Sequence, residues 1–102
     1  MGIETVIVGA DGKKIASAED PTNILHRVLP SHDDNRYQCL NCVDWYGDTT
    51  FNRYQLPVVR EELQRLLKGI NDPAQTRLLD RIDVLAARCE AEPHLYLKFI
   101  GD

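Results

Sequence analysis

The chain has 102 residues, 43% apolar and 27% charged, a length and balance that suit one soluble domain over 1–102 with a single modest core. Its net charge is −4 and its longest basic run is Lys13-Lys14, so the basic patch of a nucleic-acid binder is missing and no nucleic-acid partner is expected. No stretch approaches the roughly 20 apolar residues of a membrane span, the N-terminus lacks a signal-like block, and Val6 stands where a myristoylation signal needs Ser or Thr, so a cytoplasmic location away from the membrane is expected.

Ile3 to Val8 is rich in β-branched residues and runs into Gly9-Ala10-Asp11-Gly12. That pattern predicts a strand and a turn, with Lys13 to Ala16 as hairpin partner. Asp20-Pro21 begins a short helix through Ile24, Leu25 and Val28 that Pro30 ends. Ser31-His32-Asp33-Asp34-Asn35 is polar and reads as an exposed loop. Tyr37 to Trp45, with Leu40, Cys42 and Val43 apolar, is expected to be a second strand. Trp45 to Asn52 reads as a loop. Pro57 then opens a helix at about its first position. Leu56, Val59, Leu63, Leu66, Leu67 and Ile70 form its apolar stripe, and Gly69 marks its end. Asp72-Pro73-Ala74-Gln75 starts a further helix, with Asp72 as cap and Gln75 at the third position. Its stripe is Leu78, Leu79, Ile82, Leu85, Ala86 and Cys89, and Pro93 stops it. His94 to Ile100 alternates as a half-buried strand.

Only a few residues join the two long helices, which predicts an antiparallel αα-hairpin. The fold class is therefore α+β: an antiparallel sheet of three to five strands with the hairpin on one face. The last strand is expected beside the second. The other sheet face, with His94, Tyr96 and Lys98, is expected to be open, and a dimer through it is one reading of the chain.

No constellation in the sequence supplies a reaction, and no cofactor is implied. Cys39-Leu40-Asn41-Cys42 is a CxxC, but residues three apart in a strand point to opposite faces. Cys89 lies on a helix core stripe, and the three histidines show no paired ligand spacing, so no metal site is expected. Three cysteines do not make a secreted disulfide framework. Asp33, Asp34, Asp44 and Asp48 are carboxylates suited to loop and turn roles. Thr49, Thr50 and Asn52 are suited to satisfying backbone groups as the chain turns. Gln55 can reach back to the same loop. Tyr37, Trp45, Tyr46, Phe51 and Tyr54 form an aromatic band, and such side chains rimmed by acids make interface anchors.

The segment Val43-Asp44-Trp45-Tyr46-Gly47-Asp48-Thr49-Thr50-Phe51-Asn52-Arg53-Tyr54-Gln55, followed by Glu61-Glu62-Leu63, resembles a family of small bacterial proteins with the signature D-x-Y-G-D-T-x-F-N-x-x-Q. The ending Leu95-Tyr96-Leu97-Lys98-Phe99-Ile100-Gly101-Asp102 is similar to theirs too, so the resemblance covers about the last two-thirds of the chain. Trp45 stands where the family has a smaller residue, often Pro, and Thr50 where Val is common. The resemblance brings no activity and no catalytic residues. In size, charge and form such proteins look like immunity proteins, which neutralise toxins passed between bacteria.

The expectation is a non-enzymatic protein-binding module that occludes a toxin's active site. Asp33, Asp34, Asp44, Trp45, Tyr46 and Asp48 would meet the partner. Gly47, Asp48, Thr49, Asn52 and Gln55 would hold the turn. The alternative is a small hydrolase or ligand-binding domain with its site at the Gly47–Gln55 loop and Asp48 as base. Oligomeric state and partner are not legible in the sequence.

Overall fold

The computed structural model describes residues 2–101. Strand β1 (Glu4–Gly9) turns through Gly12 into β2 (Lys14–Ala18). The hairpin carries a bulge: Ile7 pairs with Ala16 and Val8 with Lys14, leaving Ile15 as the extra residue. Asp20 caps helix α1 (Leu25–Val28), its two carboxylate oxygens each taking a backbone N–H, of Ile24 and Leu25, at 2.8 Å. Strand β3 (Asp48–Phe51) leads to helix α2 (Leu56–Lys68), helix α3 (Pro73–Ala91) and strand β4 (Leu95–Ile100). The four strands form one antiparallel sheet in the order β2-β1-β4-β3.

The fold class is α+β, as the hydrophobic periodicity requires. Both long helices form where their stripes predict, and Asp72 accepts the Ala74 and Gln75 N–H groups at 2.8 and 3.3 Å. Helix α3 lies against β1, β2 and β4, and α2 packs on α3. Arg60 ties the helices together, its Nε 2.9 Å from Asp83 and its Nη1 3.3 Å from Glu90. Ile7, Leu97, Phe99 and Phe51 point from the sheet into this core, where the two phenylalanine rings meet edge to face at 5.9 Å.

Three expectations are corrected. Tyr37 to Trp45 is not a strand: Leu40–Cys42 is a 3-10 turn, and the third strand lies later, at Asp48–Phe51. The buried apolar residues of the segment, Leu40 and Val43, are three apart rather than two, the spacing of a turn. The β-branched pair Thr49-Thr50 and then Phe51 supply the strand instead. The last strand accordingly lies between β1 and β3, not beside a strand at 37–45. His94 is not part of β4 but precedes it, with φ +67°.

Tyr96 and Lys98 do lie on the sheet face opposite the helices, in register with Val8 and Val6 of β1. Val6 is fully buried there. Its register partners Ser17 and Lys98 flank it, and the lysine stem can lie over apolar surface while its ammonium reaches out.

Candidate functional site: the turns flanking strand β3

Both ends of β3 are fixed by side chains that bond to backbone. Before it, Asp44 Oδ1 accepts the Tyr46 N–H at 2.9 Å, closing an Asx turn. The Asp44 N–H in turn donates to Thr49 Oγ1 at 2.8 Å. Gly47 sits close under this turn: a Cβ there would stand 2.7 Å from Asp44 Oδ2, so the carboxylate would have to shift. The C-terminal end of the chain closes over the same turn: the Gly101 N–H donates to the Gly47 carbonyl at 2.7 Å. A Cβ on Gly101 would lie 2.5 Å from the carbonyl of Trp45. The turn before β3 and the segment after β4 thus meet in one packed unit.

After β3, Asn52 and Gln55 form a reciprocal cap. Asn52 Oδ1 accepts the Tyr54 and Gln55 N–H groups at 2.9 and 3.1 Å, and Gln55 Oε1 accepts the Asn52 N–H at 2.9 Å. The polar side chains of Thr49, Asn52 and Gln55 are therefore engaged with backbone. Asp48 differs. It begins β3, and its carboxylate lies 3.3 Å from Lys98 Nζ on the open sheet face. Among the described residues no backbone N–H donates to it, and strand register rather than turn chemistry sets its partner.

The aromatics divide by exposure. Trp45 is half-buried and packs on the core, with its ring 5.5 Å from the His32 imidazole. His32 Nε2 lies 3.0 Å from the Val43 carbonyl. Tyr46 and Tyr54 are 80% and 82% exposed. One stands before the four-residue β3 and the other after it, so they flank an edge strand about 13 Å long. Arg53 lies over the Tyr54 ring, 5.8 Å from its centroid.

The remaining acids lie on the loop before the 3-10 turn. Asp33 accepts from Ser31 Oγ at 2.6 Å. Asp34 is held by Arg36 through Nε at 2.9 Å and Nη2 at 2.8 Å, and this bonding keeps the Asp34 carboxyl below the ordinary carboxylate range. Asn41 Nδ2 donates to the Asp34 carbonyl, so Asp34 also organises its loop.

Sequence reasoning passed over Glu62. Its side chain is fully buried. It accepts the successive N–H groups of Gln38 at 2.6 Å, Cys39 at 3.2 Å and Leu40 at 2.9 Å. A carboxylate wrapped by consecutive backbone donors has the groups a buried charge requires. Arg65 braces the same loop, with its guanidinium 4.8 Å above the Tyr37 ring and Nη1 on the Arg36 carbonyl at 2.5 Å. The signal was present: Glu62 follows Val59 by three and precedes Leu63, an acid set in an apolar stripe.

A groove of about 310 Å³ lies beside Tyr54, lined also by Arg53, His94 and Tyr96. Among the described residues no group of three His, Cys, Asp or Glu is placed to hold a metal ion, and no helix is long and apolar enough to cross a membrane. The chain matches no protein-family profile, no curated protein and no solved structure.

Proposed function

We propose that this protein is a non-enzymatic binding module that recognises another protein through the turns flanking β3, and that it acts as an immunity-type inhibitor occluding a bacterial toxin's active site. The observation that carries the reading is the pair of exposed rings, Tyr46 and Tyr54, each on a turn fixed by side-chain-to-backbone bonds. Large aromatics that lose little conformational freedom on binding make efficient interface anchors. A net charge of −4 favours a basic partner and speeds encounter with it. The hydrolase reading is weaker because Thr49 and Asn52 serve the backbone and Asp48 is paired with Lys98.

The test is titration calorimetry against the product of the neighbouring gene. Binding by wild type that weakens roughly 30-fold in Tyr46→Ala supports the reading, since anchor truncations cost about 2 kcal/mol or more. No heat with wild type ends it. A second reading, a small-ligand site, is favoured by the Arg53–Tyr54–His94–Tyr96 groove, whose volume of about 310 Å³ falls at the lower end of ligand pockets. A thermal-shift screen of metabolites would support it by a stabiliser whose effect disappears in His94→Ala.

A further inference from the structure

We propose that Cys39 and Cys42 are a redox-active dithiol that closes to an intramolecular disulfide on reaction with a low-molecular-weight disulfide of the glutathione type. The pair is not on a strand, so its side chains need not diverge. The Cys42 N–H donates to the Cys39 carbonyl at 2.9 Å across the 3-10 turn. A turn closed this way holds its first and fourth Cα atoms within about 7 Å, close to the separation a disulfide spans. Side chains three apart in a 3-10 turn lie over one another. The Cys42 thiol folds back along the turn, with Sγ 3.4 Å both from the Gln38 carbonyl, at the peptide that leads into Cys39, and from Asn41 Oδ1. Both thiols are free; Cys42 is exposed and Cys39 half-buried. The turn is anchored independently by Glu62, so the two residues are held in place before any reaction.

The exposure difference sets the order of steps. The Cys42 thiolate attacks one sulfur of the small disulfide, forming a mixed disulfide and releasing one small thiol. The Cys39 thiolate then attacks Cys42 Sγ, releasing the second small thiol and forming the Cys39–Cys42 bond. Two protein thiols are oxidised, one small disulfide is reduced to two thiols, and the protons pass to the departing thiolates. Partial burial, with the nearby Glu62 carboxylate and Cys42, raises the Cys39 thiol above its ordinary pKa, which lowers its thiolate fraction and slows the second step. Cys89 takes no part, being buried on α3 with its thiol pushed up to about 11.

The test is intact-mass spectrometry of the full chain in oxidised glutathione, with variants checked as folded by circular dichroism. Wild type is expected to pass through a single glutathione adduct. It should end lighter than the reduced protein by two hydrogen atoms, with Cys39 joined to Cys42 in the peptide map. Cys39→Ser should stop at the adduct. Cys42→Ser should react more slowly, on the order of tenfold. A wild type that keeps a stable adduct without closing, or a Cys42→Ser variant that reacts as fast as wild type, overturns the proposal.

Discussion

Replacing Glu62 by Gln keeps the size of the side chain and removes its charge, which weakens the bonds that fix the loop from Gln38 to Leu40 together with the ion pair to Arg65, whose Nη2 lies 3.8 Å from Oε2. In the native protein Oε2 takes the Gln38 N–H at 2.6 Å, Oε1 takes the Leu40 N–H at 2.9 Å, and both lie near the Cys39 N–H. An amide has one acceptor oxygen. Its NH2 group would face at least one backbone donor with no acceptor between them. A hydrogen bond to a charged group contributes roughly 1.5–3 kcal/mol, and an unpaired buried donor is of similar cost. The variant should therefore lose about 3 kcal/mol, a large share of the roughly 5–15 kcal/mol that holds such a domain together. In melting temperature this is a fall of roughly 12–24 °C. Urea unfolding followed by circular dichroism should show a lower midpoint at unchanged slope. Amide exchange at Gln38, Cys39 and Leu40 should accelerate. A Glu62→Gln midpoint indistinguishable from wild type would refute the claim that this carboxylate anchors the loop.

Four further outcomes are expected. Thr5 is 1% exposed, and its hydroxyl has no partner among the described residues; Thr5→Val should stabilise by about 1 kcal/mol in the same urea assay, and a loss of stability would show that the hydroxyl is bonded. Gly101→Ala, which puts a Cβ against the Trp45 carbonyl, should cost roughly 1–3 kcal/mol and expose the Gly101 amide to exchange; a neutral effect would mean the tail shifts freely. Asn52→Ala and Gln55→Ala should each cost about 1 kcal/mol, and the double variant less than their sum, because both belong to one cap; strict additivity would contradict the reciprocal bonding. Because Arg36 depresses the Asp34 pKa, the pair stabilises above the ordinary carboxylate range, and that contribution is lost as pH falls through the lowered value. Carboxyl NMR should show Asp34 titrating below the ordinary range and rising toward it in Arg36→Ala, and no rise would remove Arg36 as the cause.

What the sequence made legible follows the range of the interactions. Helices α2 and α3 were readable because their stripes and the Asp72 cap are local. The β1–β2 hairpin was readable for the same reason, since Gly9 to Gly12 follows a β-branched run and leads directly into a short partner around Ile15. The third strand was misplaced because Leu40, Cys42 and Val43 look like a strand when only hydrophobicity is counted. The backbone donors of Gln38, Cys39 and Leu40 instead serve a carboxylate more than 20 residues away in sequence, Glu62, while those of Cys42 and Val43 close the 3-10 turn. The turn roles of Thr49, Asn52 and Gln55 were within reach because their partners are neighbours. Asp48 was not, because Lys98 meets it only through the pairing of β3 with β4. Exposure separates Trp45, which packs on the core, from Tyr46, which does not, although the two are adjacent in the chain.

The proposed division of labour around β3, in which polar side chains hold the turns and exposed rings meet a partner, is most directly tested by one set of titrations. Tyr46→Ala, Tyr54→Ala and Asp48→Ala would be titrated by calorimetry against the neighbouring-gene product, alongside wild type. Either tyrosine variant should bind roughly 30-fold more weakly while melting like wild type. Asp48→Ala should bind within about threefold of it, as expected for a rim charge. Unchanged binding by both tyrosine variants, with loss of binding in Asp48→Ala, would contradict the account.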